Sequence, residues 1–330
     1  MRTQAIFPSV PERVGMYESF YVRAVSRDEP VGVWIRNTVH KAPGARAKGS
    51  VWCTVFDARN GRPYMHKLTS EELRAPHDIW IAVGEEGGEG AVMGPGRAEG
   101  RCGDARWSLR FSSGEPELRH LPREWMYRAP LPRTKLTSPL PAAKFDGVLE
   151  LAGHDAIELR SWPGMVGHNW GAEHAERWIW LHGIDFEGAS AAWLDVALGR
   201  LRIAGRLTPW LANGALALDG HRHRIGGLAA RGLRVSESAD GCLLRLPGAD
   251  GLVLEARADV PPQAAAGWRY SDPAGGHHDV FNCSVAALEV VVQLPRRSAR
   301  RTLRTSHGAA YELGVREHDH GVPIAPFSDG

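Results

Sequence analysis

Between Gly164 and Gly183 the chain gathers three of its 12 tryptophans, Trp170, Trp178 and Trp180, together with His168, His174, His182, Asn169 and Glu173. Imidazoles and carboxylates move protons, and indole faces stabilise developing positive charge through their quadrupoles. This mixture suits protonation of an alkene or closure of an isoprenoid ring, which needs a Brønsted acid at one end of a dry, aromatic-walled pocket. Candidate acids or proton relays are His168, His182, Glu173 and Asp195. Asp195 alternates with Trp193 and Ala197 and so shares a strand face with an indole. If that face borders the pocket, burial raises its pKa; on an outer face it is an ordinary paired acid. His168 and His182 have a plainer alternative as imidazoles bonded to hairpin backbone. Gly167 and Gly171 flank His-Asn-Trp and predict a passage where side chains would clash, with Asn169 either closing that turn or offering its amide to a ligand.

Other chemistries find less support. Histidines recur at His221-Arg-His223, His277-His278 and His318-Asp-His320, and two at i and i+2 on a strand face one way. No pair is joined to a third ligand by a recognisable spacing, so no metal is expected. A Gly-x-Ser-x-Gly elbow, phosphate loops and dinucleotide fingerprints are absent, so no cofactor is expected. In Asn282-Cys-Ser284, alternation puts His278, Asn282 and Ser284 on one face, where they could line the end of the pocket. Arg296 to Arg304 holds five arginines, read as a solvated hairpin connection or as a clamp for an anionic headgroup.

The positioning elements are strands. Read at period two, Arg177–Phe186 places Trp178, Trp180, His182, Ile184 and Phe186 on one face. The opposite face carries Ile179 and Leu181, so the strand is expected to be covered on both sides. Runs such as 31–40, 50–57, 105–112, 191–198 and 287–294 are short, rich in β-branched and aromatic residues, and separated by turn signals including Leu218-Asp-Gly220. Ser70-Glu-Glu-Leu-Arg74 is a modest helix candidate with a serine cap. Strands without intervening helices exclude a doubly wound sheet and predict two antiparallel barrels, joined through the Pro-containing stretch Ala129–Pro141. Tyr17, Tyr21, Trp34 and Trp52 read as core plugs ahead of ligand wall. A formal charge of +2 gives no case for nucleic acid, and no apolar run is long enough to span a bilayer. Four scattered cysteines without a C-x-x-C pair predict free thiols and a cytoplasmic protein. An exposed edge strand could pair two copies into a homodimer.

His168-Asn-Trp-Gly171 followed by Arg177-Trp-Ile-Trp180 resembles a signature of the lipocalin-like double-barrel proteins, which include tocopherol cyclases, carotenoid 1,2-hydratases (hydroxyneurosporene synthases) and AttH-type proteins. Lys135-Leu-Thr-Ser-Pro139 and Asn282-Cys-Ser284 extend the resemblance, which is nearest to uncharacterised members with a His-Asn-Trp-Gly motif. It implies an all-β fold of two tandem calycin-like barrels, residues 1–165 and 166–330, enclosing an apolar cavity. Hydratase and AttH members carry an Asp-His pair shortly before the Trp-Gly. Here Gly167, His168 and Asn169 stand in that region, and the aspartate that would donate the proton is missing. The expected activity is cofactor-free hydration, cyclisation or isomerisation of an isoprenoid- or polyketide-like molecule. In that reading Trp170, Trp178, Trp180 and Trp193 hold the apolar body, Asn169 is a further contact, and His182, His278 and Asn282 sit at the polar end. The rival expectation is a carrier of a lipid-like ligand with the same cavity.

Overall fold

A computed structural model describes residues 3–327 apart from 86, 228–229 and 296–299, with the side chain of Asp250 also outside the description. Among these residues, 12 strands form one antiparallel sheet and 10 form a second. In the first, Met16–Val25 is flanked by Val31–Lys41 on one side and Ile157–Gly171 on the other, and Thr134–Leu151 follows beyond that. In the second, Arg177–Phe186 lies between Ala189–Arg200 and Arg300–Val315, with His277–Gln293 next. An Ile225–Gly248 bridge ties the edge strand His221–Gly226 to the end of Gly241–Pro247, the strand next to the opposite edge of the second sheet. The tandem-barrel expectation holds. The first sheet runs on to Gly171 and the second begins at Arg177.

Local chemistry explains several connections. Asp219 and Gly220 both have positive φ, so the Leu218–His221 hairpin closes through the left-handed turn that matches strand twist. The helix expected at Ser70–Arg74 does not form. Tyr64–Ser70 and Leu73–Arg74 are strands, and the Ser70 hydroxyl accepts the Glu72 amide at 3.0 Å, making a serine turn between them.

Met16–Val25 is buried along its whole length because its two faces meet different partners. Phe20, Val22 and Ala24 point into the first barrel's core, whereas Tyr21 and Val25 join the core of the second barrel. Trp34 and Trp52 follow Tyr21 into the seam, where Trp52 meets Trp268 edge-on at 5.0 Å and Tyr270 at 5.4 Å. Such aromatic pairs are worth about 0.5–1.5 kcal/mol beyond the area they bury, so the seam is a packed interface. Arg177–Phe186 is likewise buried through its centre on both faces, as expected.

Bulges at the seam aim polar groups across it. Thr134–Leu151 slips register against Ile157–Gly171 between Thr137 and Ala143, where Pro139 and Pro141 have no N–H to donate to the ladder. The freed Pro141 carbonyl accepts from His182 Nε2 at 2.9 Å. His277–Gln293 bulges between Cys283 and Ala286, and the Ser284 carbonyl accepts from Arg23 Nη2 at 2.8 Å. Arg23 Nη1 in turn lies 3.3 Å from His182 Nδ1, so one buried pair ties both bulges together.

All four cysteines are buried and free. Among the described residues no helix is long and apolar enough to cross a membrane. In the arginine-rich segment Arg296 and Arg297 lie outside the described residues, while Arg301 pairs with Asp219 and Arg304 with Glu289.

Candidate functional site

A cavity of about 400 Å³ lies in the seam. The first sheet contributes Tyr17, Tyr21, Trp34, Arg36 and Asn169; the second contributes Trp178, Trp180, Ala197, Tyr270 and Glu312. Residues between His120 and Leu136 cover it. Three of the chain's exposed large apolar side chains, Trp125, Leu131 and Ile203, border this cavity and mark its mouth. Tyr17, Tyr21 and Trp34 thus form wall rather than only core.

Glycines opposite the wall aromatics make room for them. Tyr21 is the register partner of Gly167 and lies so close across it that a Cβ there would overlap the phenol ring. Gly314 stands in the same relation to Trp178. The tight passage expected at Gly167 is therefore real, and its cause is a ring laid across the strand.

Trp178 and Trp180 are two residues apart on one strand face, so they stand roughly 7 Å apart along the wall and define two ends. At the Trp180 end, Asp195 is fully buried and accepts from Ser138 Oγ at 2.5 Å and Trp180 Nε1 at 3.0 Å. His120, which borders the cavity, places Nε2 3.4 Å from Asp195 Oδ2 and 3.2 Å from Ser138 Oγ. Its Nδ1 lies 3.3 Å from the Asn213 carbonyl. The serine hydrogen is already committed to Asp195, so both ring nitrogens of His120 face acceptors. Of the two readings of Asp195, the structure has the paired acid, though buried and not on an outer face. Burial alone would raise its pKa, but the charge and hydrogen bond of His120, with His182 and Ser138, hold the carboxyl down at about 2.

At the Trp178 end, Glu312 accepts from Trp178 Nε1 at 2.9 Å, Asn282 Nδ2 at 3.2 Å and Tyr270 OH at 3.3 Å. Arg36 lies over the Tyr270 ring at 4.1 Å. Asn169 borders the cavity with its carbonyl engaged by Ser19 at 2.7 Å, which leaves its amide nitrogen to offer.

Several residues singled out from sequence stand apart from the cavity wall. His168 is buried against Phe20 and Trp170 with Nε2 2.7 Å from Glu18, on the opposite strand face from Asn169. Glu18 also accepts the Ile6 and Phe7 amides and so anchors the N-terminal segment. His182 is fully buried; burial and the Arg23 charge lower it to about 4, and it spends its proton on Pro141. Glu173 pairs with Arg133 at the surface. Trp193 is buried under Arg222, 4.9 Å from its ring. His278 is fully buried beside Trp178, 5.0 Å between rings, with no hydrogen bond to either nitrogen. Burial and the neighbouring His174 push it down to about 3. Sequence reasoning missed His120, Ser138, Arg36, Tyr270 and Glu312 as site residues; only Ser138 lay inside a quoted motif.

An all-β chain of two tandem barrels with an apolar seam cavity and buried acid–base groups has the lipocalin-like double-barrel fold to which the His-Asn-Trp-Gly motif pointed. No family model matches the chain. Its relatives include Rv0493c, an uncharacterised protein of Mycobacterium tuberculosis (strain ATCC 25618 / H37Rv), 26% identical over 292 residues that cover 87% of this chain and 84% of that protein. Among solved structures, CghA bound to Sch210972 superposes with a TM-score of 0.62 at 13% identity, over 92% of this chain and 88% of its own. Kievitone hydratase from Nectria haematococca gives 0.55 at 9% identity, over 95% and 93%. The AttH protein NE1406 of Nitrosomonas europaea gives 0.52 at 13%, over 95% and 97%. The fold is thus shared with a hydratase, and these likenesses speak to fold.

Proposed function

We propose that the seam cavity binds an apolar small molecule of isoprenoid or polyketide type and that His120, held by Asp195, moves a proton on it. The observation that carries this reading is an imidazole that borders an apolar cavity with a buried, ionised carboxylate 3.4 Å behind it. In a hydration, His120 gives its proton to one carbon of a double bond, water adds to the other, and the water's surplus proton returns to the imidazole. In a cyclisation or isomerisation, the same proton enters at one carbon and a proton leaves from another. Trp178, Trp180 and Trp34 flank the path of the developing cation. Asn169 and Glu312 orient the polar end, with Asn282 acting through Glu312. His168, His182, Glu173, Trp170 and Trp193 serve to hold the walls. The likeness to kievitone hydratase supports a reaction of this class.

The test begins with native mass spectrometry of the protein from its own host, to identify the apolar molecule it retains. His120→Gln and Asp195→Asn should keep binding that molecule while turnover falls by about 100-fold or more, the scale of a lost general acid. A carrier would use the same cavity without the dyad. If both variants turn over an identified substrate normally, the acid–base proposal fails. If no apolar molecule binds, the cavity reading fails as well.

A further inference from the structure

His174, Asp272 and His278 come from three separate places: the connection after Gly171, the turn after Ala266–Ser271, and the start of His277–Gln293. Their ligand atoms all lie within 4.8 Å of one another. His174 Nδ1 is 2.8 Å from Asp272 Oδ1, and His278 Nδ1 is 3.7 Å from Asp272 Oδ2. Donors around a tetrahedral zinc ion stand about 3.3 Å apart, a spacing these two distances bracket.

A second, independent observation points to a ligand here. Both nitrogens of fully buried His278 lack a hydrogen-bond partner. A buried imidazole left in this state is costly and rare, and an ion held at His278 Nδ1, the nitrogen 3.7 Å from Asp272 Oδ2, would give it a partner. Asp272 is fixed in place because its Oδ1 also accepts the His174 backbone amide at 2.8 Å. Arg316 Nη2 donates to Asp272 Oδ2 at 3.1 Å, but its Nε has Glu176 at 3.2 Å. That guanidinium stays paired when the carboxylate turns toward an ion.

We infer that His174, Asp272 and His278 form a binding site for a divalent first-row transition metal of the zinc class. Two imidazoles with one carboxylate suit zinc or its neighbours and not calcium or magnesium, which prefer oxygen donors throughout. Three protein donors leave one tetrahedral position for water or for an oxygen of a bound molecule. Because the His174 ring borders the cavity at its Trp178 end, the ion would sit at the opposite end from His120. The site requires nothing of the proton chemistry at His120.

The experiment is equilibrium dialysis of the EDTA-treated full-length protein against Zn²⁺, and against Co²⁺ followed by visible absorption. The wild type should take up one ion per chain and give the intense absorption of four-coordinate cobalt. His278→Gln and Asp272→Asn should each weaken uptake by at least about 100-fold, more than the loss of an outer hydrogen-bond partner produces. His278→Gln keeps the side chain's bulk, and circular dichroism checks that each variant is folded. Should one fail to fold, the other decides. The double variant His221→Ala/His223→Ala, which removes a surface His-x-His pair, should bind normally. No saturable uptake by the wild type, uptake unchanged in the ligand variants, or uptake lost in the surface variant would each overturn the inference. None of these results depends on turnover, so they leave the His120 proposal to its own test.

Discussion

Replacing Asp195 by Asn changes almost no volume but puts an NH₂ where an ionised oxygen accepts from Ser138 and His120. The carboxyl sits at about 2 in the fold against 3.8 for an unperturbed aspartate. Its ionisation therefore contributes on the order of 2 kcal/mol to stability. The folded pKa is depressed, so this contribution is complete above about pH 5 and is lost as pH falls from about 4 toward 2. By pH 2.5 more than half of it is gone. Urea unfolding of wild type and Asp195→Asn at a series of pH values between 6 and 2.5 isolates the effect. Asp272 and Asp279 are also held low by their partners, but both proteins share them and their titration cancels in the difference. At pH 6 the variant should be less stable by about 3–5 kcal/mol, the range for breaking a buried ion pair. That gap should narrow by about 1–2 kcal/mol at pH 2.5. A gap that stays constant across the window would refute the ionised Asp195 and its role as the charged partner of His120.

Three further outcomes follow from the packing. Gly167→Ala drives a methyl into the Tyr21 ring, so unfolding should show a loss of about 1–3 kcal/mol; the double variant with Tyr21→Leu should recover much of it. Trp125→Ala at the cavity mouth should slow ligand uptake in stopped-flow fluorescence while changing stability by less than about 0.5 kcal/mol, since that indole is 61% exposed. Burial pushes Cys102, Cys242 and Cys283 up to about 12 and Cys53 well above its ordinary value. Iodoacetamide at pH 8 should therefore leave the native thiols unmodified and alkylate all four in denaturant; labelling of the folded protein would show a more open core.

Alternation read in the sequence gave the faces correctly wherever a strand's two sides differ in kind. Trp178 and Trp180 share the cavity side, and Asp195 does stand beside an aromatic wall, because period two is a covalent property of the extended chain. Alternation cannot say what lies across the sheet, and every error in the site has that origin. The conditional rise of Asp195 on burial does not occur because the groups that reverse it lie elsewhere in the chain: His120, His182 and Ser138. His120 follows Leu118-Arg119 in a two-residue strand with no periodicity to mark it, and its partners are 18 and 75 residues away. His168 drew notice through its motif neighbours, yet pairing of Ile157–Gly171 with Met16–Val25 turns it toward Phe20 and Glu18 and leaves Asn169 on the side of Tyr17 and Tyr21.

The motif residues thereby acquire a physical reading that differs from a list of catalytic groups. Gly167 receives Tyr21, Ser138 reaches Asp195, Pro141 offers its carbonyl to His182, and Ser284 offers its own to Arg23. The last three are places where one barrel grips the other, and the first seats the Tyr21 ring that the seam needs. A cavity built in a seam exists only while the two sheets keep their register against each other, so residues that lock the seam are as necessary to the site as those that line it. The Arg23–His182 contact at the centre of that lock sets a buried guanidinium, which burial lowers to about 9, against a neutral imidazole. Protonating His182 would place two cations face to face there. Burial and Arg23 both resist that step, which holds the ring neutral down to about pH 4 and keeps its Nε2 proton on Pro141.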